Sequence, residues 1–111
     1  MRRGDICIAA ARGAYTGKPR PVVIVQDDRF DSTASVTVCP LTSQLIEAPL
    51  IRITVEPKAA AGFEQPSQVM VDKVTTMPQV NVRDHLGRLV DADLVRLDRA
   101  LLSMSWGSQN D

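Results

Sequence analysis

Arg20 stands between Pro19 and Pro21 in the stretch GKPRPVVIVQDD, at the mouth of the most continuously apolar run in the chain. Pro21 lacks an amide proton and disfavours helical geometry at the residue before it, so the chain enters this run extended, with the guanidinium at a strand end. A permanent cation with five donors in a fixed fork matches the oxygens of a phosphate. A structural ion pair to Asp27, Asp28 or Asp72 is the plain alternative. Thr42 and Ser43 close the segment SVTVCPLTS, where hydroxyls either hydrogen-bond local backbone or bind a phosphate. Asp72, in QVMVDKVTT, falls by strand alternation on one side with Gln68 and Met70, opposite Val69 and Val71. A carboxylate there is a proton acceptor or the counterion of a basic neighbour.

Other catalytic signatures are missing. The chain has no phosphate-cradling glycine loop, no metal-ligand cluster and no serine-nucleophile motif. Its single histidine, His85, reads as a surface or packing residue. Cys7 and Cys39 have no zinc-ligand spacing and each lies in an apolar stretch, as buried free thiols of a reducing compartment would. No N-terminal segment resembles a signal peptide and no apolar run approaches bilayer length, so a cytoplasmic protein without membrane contact is expected.

These candidates need a scaffold. At 111 residues the chain is read as one domain spanning residues 1–111. With only 4% aromatic residues, its core must be built from Val, Ile, Leu, Met and Ala. Short apolar or alternating segments follow one another: DICIAAA, PVVIVQ, SVTVCPL, LIRITV, SQVMVDKV and NVRDHLG. Turn-rich stretches separate them, and the pattern predicts a small antiparallel barrel or rolled sheet. From Asp91 to Trp106 the period changes: Leu94, Leu97, Leu101 and Met104 form one helical stripe, Asp91 or Asp93 caps its start, and Gly107 ends it. Thirteen basic and thirteen acidic residues cancel, which excludes a strongly basic nucleic-acid binder. The charge is uneven, however. Arg2, Arg3, Arg12, Lys18, Arg20 and Arg29 lie in the first thirty residues against Asp5, Asp27 and Asp28.

RRGDI, GKPRPVVIVQDD, VTVCPLTS, VMVDKVTT and the LGRL that precedes DADLVRLDRALL resemble, in that order, the MazF/PemK family of toxin endoribonucleases. The likeness runs from about Arg3 to Gly107. It implies an SH3-like small barrel, mainly β with a C-terminal helix, and a homodimer. It also implies cleavage of single-stranded RNA, usually messenger RNA at short specific sequences, without metal or cofactor. A cognate antitoxin would silence the chain by laying an extended acidic segment across the RNA groove. Carried over by position, the arginine of the family's RP motif is Arg20, the hydroxyl of its third strand is Thr42, and Asp72 matches an acidic position of some members. Two departures stand out. Ala14 and Tyr15 replace the Glu or His of several relatives, and Met70 replaces an arginine found in some.

Metal-free RNA cleavage uses the substrate's own 2′-hydroxyl as nucleophile, so the protein must assist its deprotonation, stabilise the charged phosphorane and protonate the departing oxygen. Arg20 suits the second task, Thr42 holds a phosphate oxygen or the attacking hydroxyl, and Asp72 is the chemically easier base. RNA would be bound by Arg12, Tyr15, Lys18, Arg29, Phe30 and Ser43, with unstacked bases lying on Tyr15, Phe30 or Phe63. Two other functions fit parts of the chain. The ending ALLSMSWG resembles CcdB, a gyrase poison of the same fold, with Trp106 and Gly107 as its binding residues. A non-catalytic SH3-like binding module is the third.

Overall fold

The computed structural model describes residues 1–10, 19–27, 34–57 and 64–109, with side chains described as far as Met104. Among the described residues, seven strands and one α-helix are formed: β1 Asp5–Ala9, β2 Arg20–Ile24, β3 Ser35–Thr42, β4 Arg52–Val55, β5 Ser67–Met70, β6 Thr75–Pro78, β7 Val82–Arg88 and α1 Asp91–Gln109. All the recorded pairings are antiparallel, and the strand order is β4-β5-β3-β2-β1-β7, with β6 also on β3.

The eight-residue β3 organises the sheet. Its first half pairs β6 from Ser35↔Pro78 to Val38↔Thr75, its middle pairs β2, and its last two residues pair β5 at Leu41↔Val69 and Thr42↔Gln68. The sheet thus turns along β3, but the terminal strands β4 and β7 do not pair. The expected barrel is therefore open.

Strand alternation fills two cores. Ile6, Val23, Cys39, Ile53, Val55, Val69 and Val71 bury one face under α1, whose Leu97 and Ala100 are buried and whose Leu94, Leu101 and Met104 pack at the margin. Cys7, Ala9, Val22, Ile24, Val36 and Val38 form the second cluster on the other face. Both thiols are free and buried, and burial pushes Cys39 up to about 12, which makes it a packing residue and a poor nucleophile. Polar ties seat the helix. Arg3 donates to the Val25 carbonyl and pairs with Asp98, while Arg96 Nη1 bonds the Thr54 carbonyl at 3.1 Å and Asp93 at 2.9 Å.

Three features differ from the sequence pattern. SQVMVDKV is not one strand, because β5 stops at Met70 and Val71–Lys73 form a 3-10 turn. Its alternation nevertheless persists, since Val69 and Val71 both enter the helix-side core while Gln68 and Asp72 reach polar partners. The strand β6 was not expected, because TTMP offers only Met77 to an apolar face. The helix also continues through Gly107 to Gln109, so Gly107 is not its terminator.

Candidate active site

Arg20 opens β2, and its backbone pairs with Ala9 of β1. On the other side, Val22 pairs with Pro40 of β3. The antiparallel run brings the start of β2 and the end of β3 to the same end of the sheet. Arg20 and Thr42 accordingly line one cleft of about 770 Å³, together with Ser43, Glu64, Gln65 and Ser67. The exposed guanidinium makes no ion pair among the described residues.

The Thr42 hydroxyl accepts a hydrogen bond from the Gln44 amide at 3.1 Å, which fixes its direction at the strand end. Its own proton remains available to donate to a phosphate oxygen. The loop after it is tied down from β5. The buried Gln68 side chain accepts from the Ile46 amide at 3.1 Å and donates to the Ile46 carbonyl at 2.9 Å and to Thr54 at 3.2 Å. Ser43 is exposed at the rim. A cation and a directed hydroxyl on neighbouring strand ends can hold two oxygens of one phosphate.

Arg20 is shared with a second cleft of about 590 Å³, on the side of the smaller core. Ala9, Val22, Pro40, Met70 and Met77 make its walls largely apolar, and Lys73, Thr75, Thr76 and Asn81 add polar groups. Arg20 therefore lines two spaces.

Asp72 lines neither cleft. Arg52 holds its carboxylate through two parallel bonds, Nε to Oδ1 at 2.8 Å and Nη2 to Oδ2 at 3.1 Å. This pair keeps the Asp72 carboxyl below its ordinary value of 3.8 despite the opposing effect of partial burial. The ion pair between Arg20 and Asp72 considered from sequence is not formed. Because the Asp72 carboxyl is depressed in the folded chain, the stabilisation it brings is fully present above about pH 4 and is lost as the pH falls through the folded-state value. Urea midpoints of wild type and Arg52→Met should thus differ at pH 7 and converge as the pH falls below the ordinary carboxyl value of 3.8; a constant gap would refute this linkage.

His85 also lies outside both clefts, 3.5 Å from Asp5. Burial pushes Asp5 up, but the Arg2 amide and the Arg88 and His85 donors outweigh it and hold the carboxyl below its ordinary value. Of the other residues read from sequence as RNA contacts, Arg12, Tyr15, Lys18, Arg29 and Phe30 fall outside the described residues, as do Phe63 and the Trp106 side chain. The structure in turn brings in Glu64, Gln65, Ser67 and Lys73, to which the sequence reading assigned no role. The pairing Thr42↔Gln68 explains three of them, since it carries the residues just before β5 to the end of β3.

Comparison with known proteins matches residues 2–105 to a family described as PemK-like, MazF-like toxin of type II toxin-antitoxin system. A probable endoribonuclease MazF of Mycolicibacterium smegmatis is 62% identical over 102 residues, covering 92% of this chain and 94% of that protein. The solved structure of Mycobacterium tuberculosis toxin MazF-mt6 superposes with a TM-score of 0.76 at 27% identity, over 89% of this chain and 93% of that one. An endoribonuclease in complex with its cognate antitoxin, from a mycobacterial species, shares the fold with a TM-score of 0.74 at 21% identity, over 96% of this chain and 95% of that one. The chain belongs to the PemK-like, MazF-like toxin family of type II toxin-antitoxin systems.

Proposed function

We propose that this chain is a toxin that cuts single-stranded RNA, messenger RNA above all, in the cleft of Arg20 and Thr42. The observation that carries it is one cleft lined by an arginine that makes no ion pair among the described residues and by a directed hydroxyl. The probable endoribonuclease MazF, 62% identical over nearly its full length, supports the reaction class.

In the proposed reaction the 2′-hydroxyl attacks the adjacent phosphorus, needing no metal. Arg20 meets the charge that grows on the phosphorane oxygens, and Thr42 donates to a non-bridging oxygen. Ser43 contacts the strand at the rim. Arg12, Tyr15, Lys18, Arg29 and Phe30 supply further RNA contacts from the segments before and after β2, an assignment supported by their residue types alone. Asp72 is assigned no proton transfer, because Arg52 occupies its carboxylate.

The partner is a cognate antitoxin whose acidic extended segment covers Arg20. The setting is the cytoplasm, where messenger RNA is found, and among the described residues no helix is long and apolar enough to cross a membrane. The chain acts as a homodimer, which sedimentation at micromolar concentration should detect. Expression of the wild type should arrest growth, and the purified chain should cut single-stranded RNA in the presence of EDTA to fragments ending in 2′,3′-cyclic phosphate. Intact RNA alongside trapped gyrase complexes would instead establish a gyrase poison, and intact RNA with normal growth a non-catalytic module.

A further inference from the structure

An attacking 2′-oxygen and a departing 5′-oxygen lie on opposite sides of the phosphorus, so one side chain cannot serve both ends of the displacement. The groups that take and give protons must flank the phosphate. Among the described residues, Arg20 is the one common to the two clefts. Each of them contains, besides Arg20, a single charged side chain among the described residues: Glu64 in the larger, Lys73 in the smaller.

The geometry points to Glu64 and Lys73 as the acid–base pair of the reaction, with Glu64 accepting the 2′-hydroxyl proton and Lys73 protonating the departing 5′-oxygen. This rests on the Arg20–Thr42 cleft being the site of cleavage. In the step, the 2′-oxygen forms its bond to phosphorus as its proton passes to the Glu64 carboxylate. The bond from phosphorus to the 5′-oxygen then breaks, and that oxygen takes a proton from the Lys73 ammonium. The products are a 2′,3′-cyclic phosphate and a 5′-hydroxyl, and exchange with water resets both side chains.

Two other titratable groups among the described residues are engaged elsewhere. Asp72 is held by Arg52, and His85 lies beside Asp5. Among the described residues, the other charged residue lining the Glu64 cleft is Arg20. Lys73 lines the other cleft with Arg20 and has Asp72 as its chain neighbour, already paired with Arg52. The sequence assigned neither residue a role, because Glu64 lies in a turn-rich connection and Lys73 follows the more conspicuous Asp72.

The test uses single-turnover pH–rate profiles on a short RNA, with a second substrate whose scissile 5′-oxygen is replaced by sulfur. A thiolate leaves without being protonated. Positioned acid–base groups typically contribute about 10²–10⁴ in rate. Glu64→Gln is expected to slow both substrates by an amount in that range and to flatten the acid limb of the profile. Lys73→Met should slow the oxygen substrate similarly, flatten the alkaline limb and cut the sulfur substrate at nearly the wild-type rate. Two results would overturn the assignment: a Glu64→Gln variant that lowers KM with kcat and the acid limb unchanged, or a Lys73→Met variant equally slow on both substrates. Full activity of Arg20→Ala would instead remove the site itself.

Discussion

Arg20→Ala is expected to reduce the rate of RNA cleavage by about a hundredfold to a thousandfold, the usual effect of removing one preorganised donor to a developing oxyanion. The fold should be untouched. Arg20 is exposed at the first residue of β2 and forms no ion pair among the described residues, so its loss strands no buried partner. Binding of RNA should weaken much less than the rate falls, because the growing charge on the phosphorane exists only in the transition state. Arg20→Lys should fall between the two, keeping the charge but losing the planar fork that reaches two oxygens together. Circular dichroism with single-turnover kinetics separates these effects. An Arg20→Ala protein that is folded and cuts RNA at the wild-type rate would contradict the expectation.

The largest effect on stability should come from Leu97→Ala. Leu97 is fully buried in the cluster between α1 and the sheet, among Ile6, Val23, Ile53 and Val69. Removing three carbons there loses transfer energy and leaves a cavity, at about 2–5 kcal/mol. Domains of this size are stable by only about 5–15 kcal/mol, so the variant should lose a large part of its stability. Val95→Ala, on the exposed side of the same helix, should change it by about 0.5 kcal/mol or less. Urea unfolding of the two variants measures the contrast; equal midpoints would mean that α1 does not close this core.

The helix and most strands were legible because their patterns are local. Leu94, Leu97, Leu101 and Met104 recur at helical spacing, and all four pack where that stripe places them. Val22, Val23 and Ile24 follow a proline that already enforces extended backbone. Where local and tertiary preferences diverged, the pattern failed. Thr75–Pro78 carries little apolar alternation and becomes a strand through pairing with the first half of β3. Gly107 looks like a helix terminator, yet the helical backbone passes through it for two further residues.

The site divides in the same way. Arg20 and Thr42 each have a conspicuous local setting in the sequence, prolines in one case and a strand end in the other, and the structure brings both to one cleft. The expected third member, Asp72, was chosen for its residue type, and sequence could not reveal that Arg52 would take both of its oxygens. Arg52 pairs with Met70 across β4 and β5, two residues from Asp72, and only that register brings the guanidinium within reach. Glu64 was overlooked for the complementary reason. It sits in the connection GFEQP, and reaches the cleft because β5 pairs with the end of β3.

The central claim is that the substrate's own 2′-hydroxyl attacks a phosphate held between Arg20 and Thr42. It is tested most directly with an RNA carrying one 2′-deoxy nucleotide on the 5′ side of the scissile bond, compared with the all-ribose strand for both binding and cleavage. The expected result is equal binding, no cleavage at the deoxy position, and 2′,3′-cyclic phosphate ends from the all-ribose strand alone. Cleavage at the deoxy position would mean that water or a protein group attacks the phosphorus, and would contradict the account.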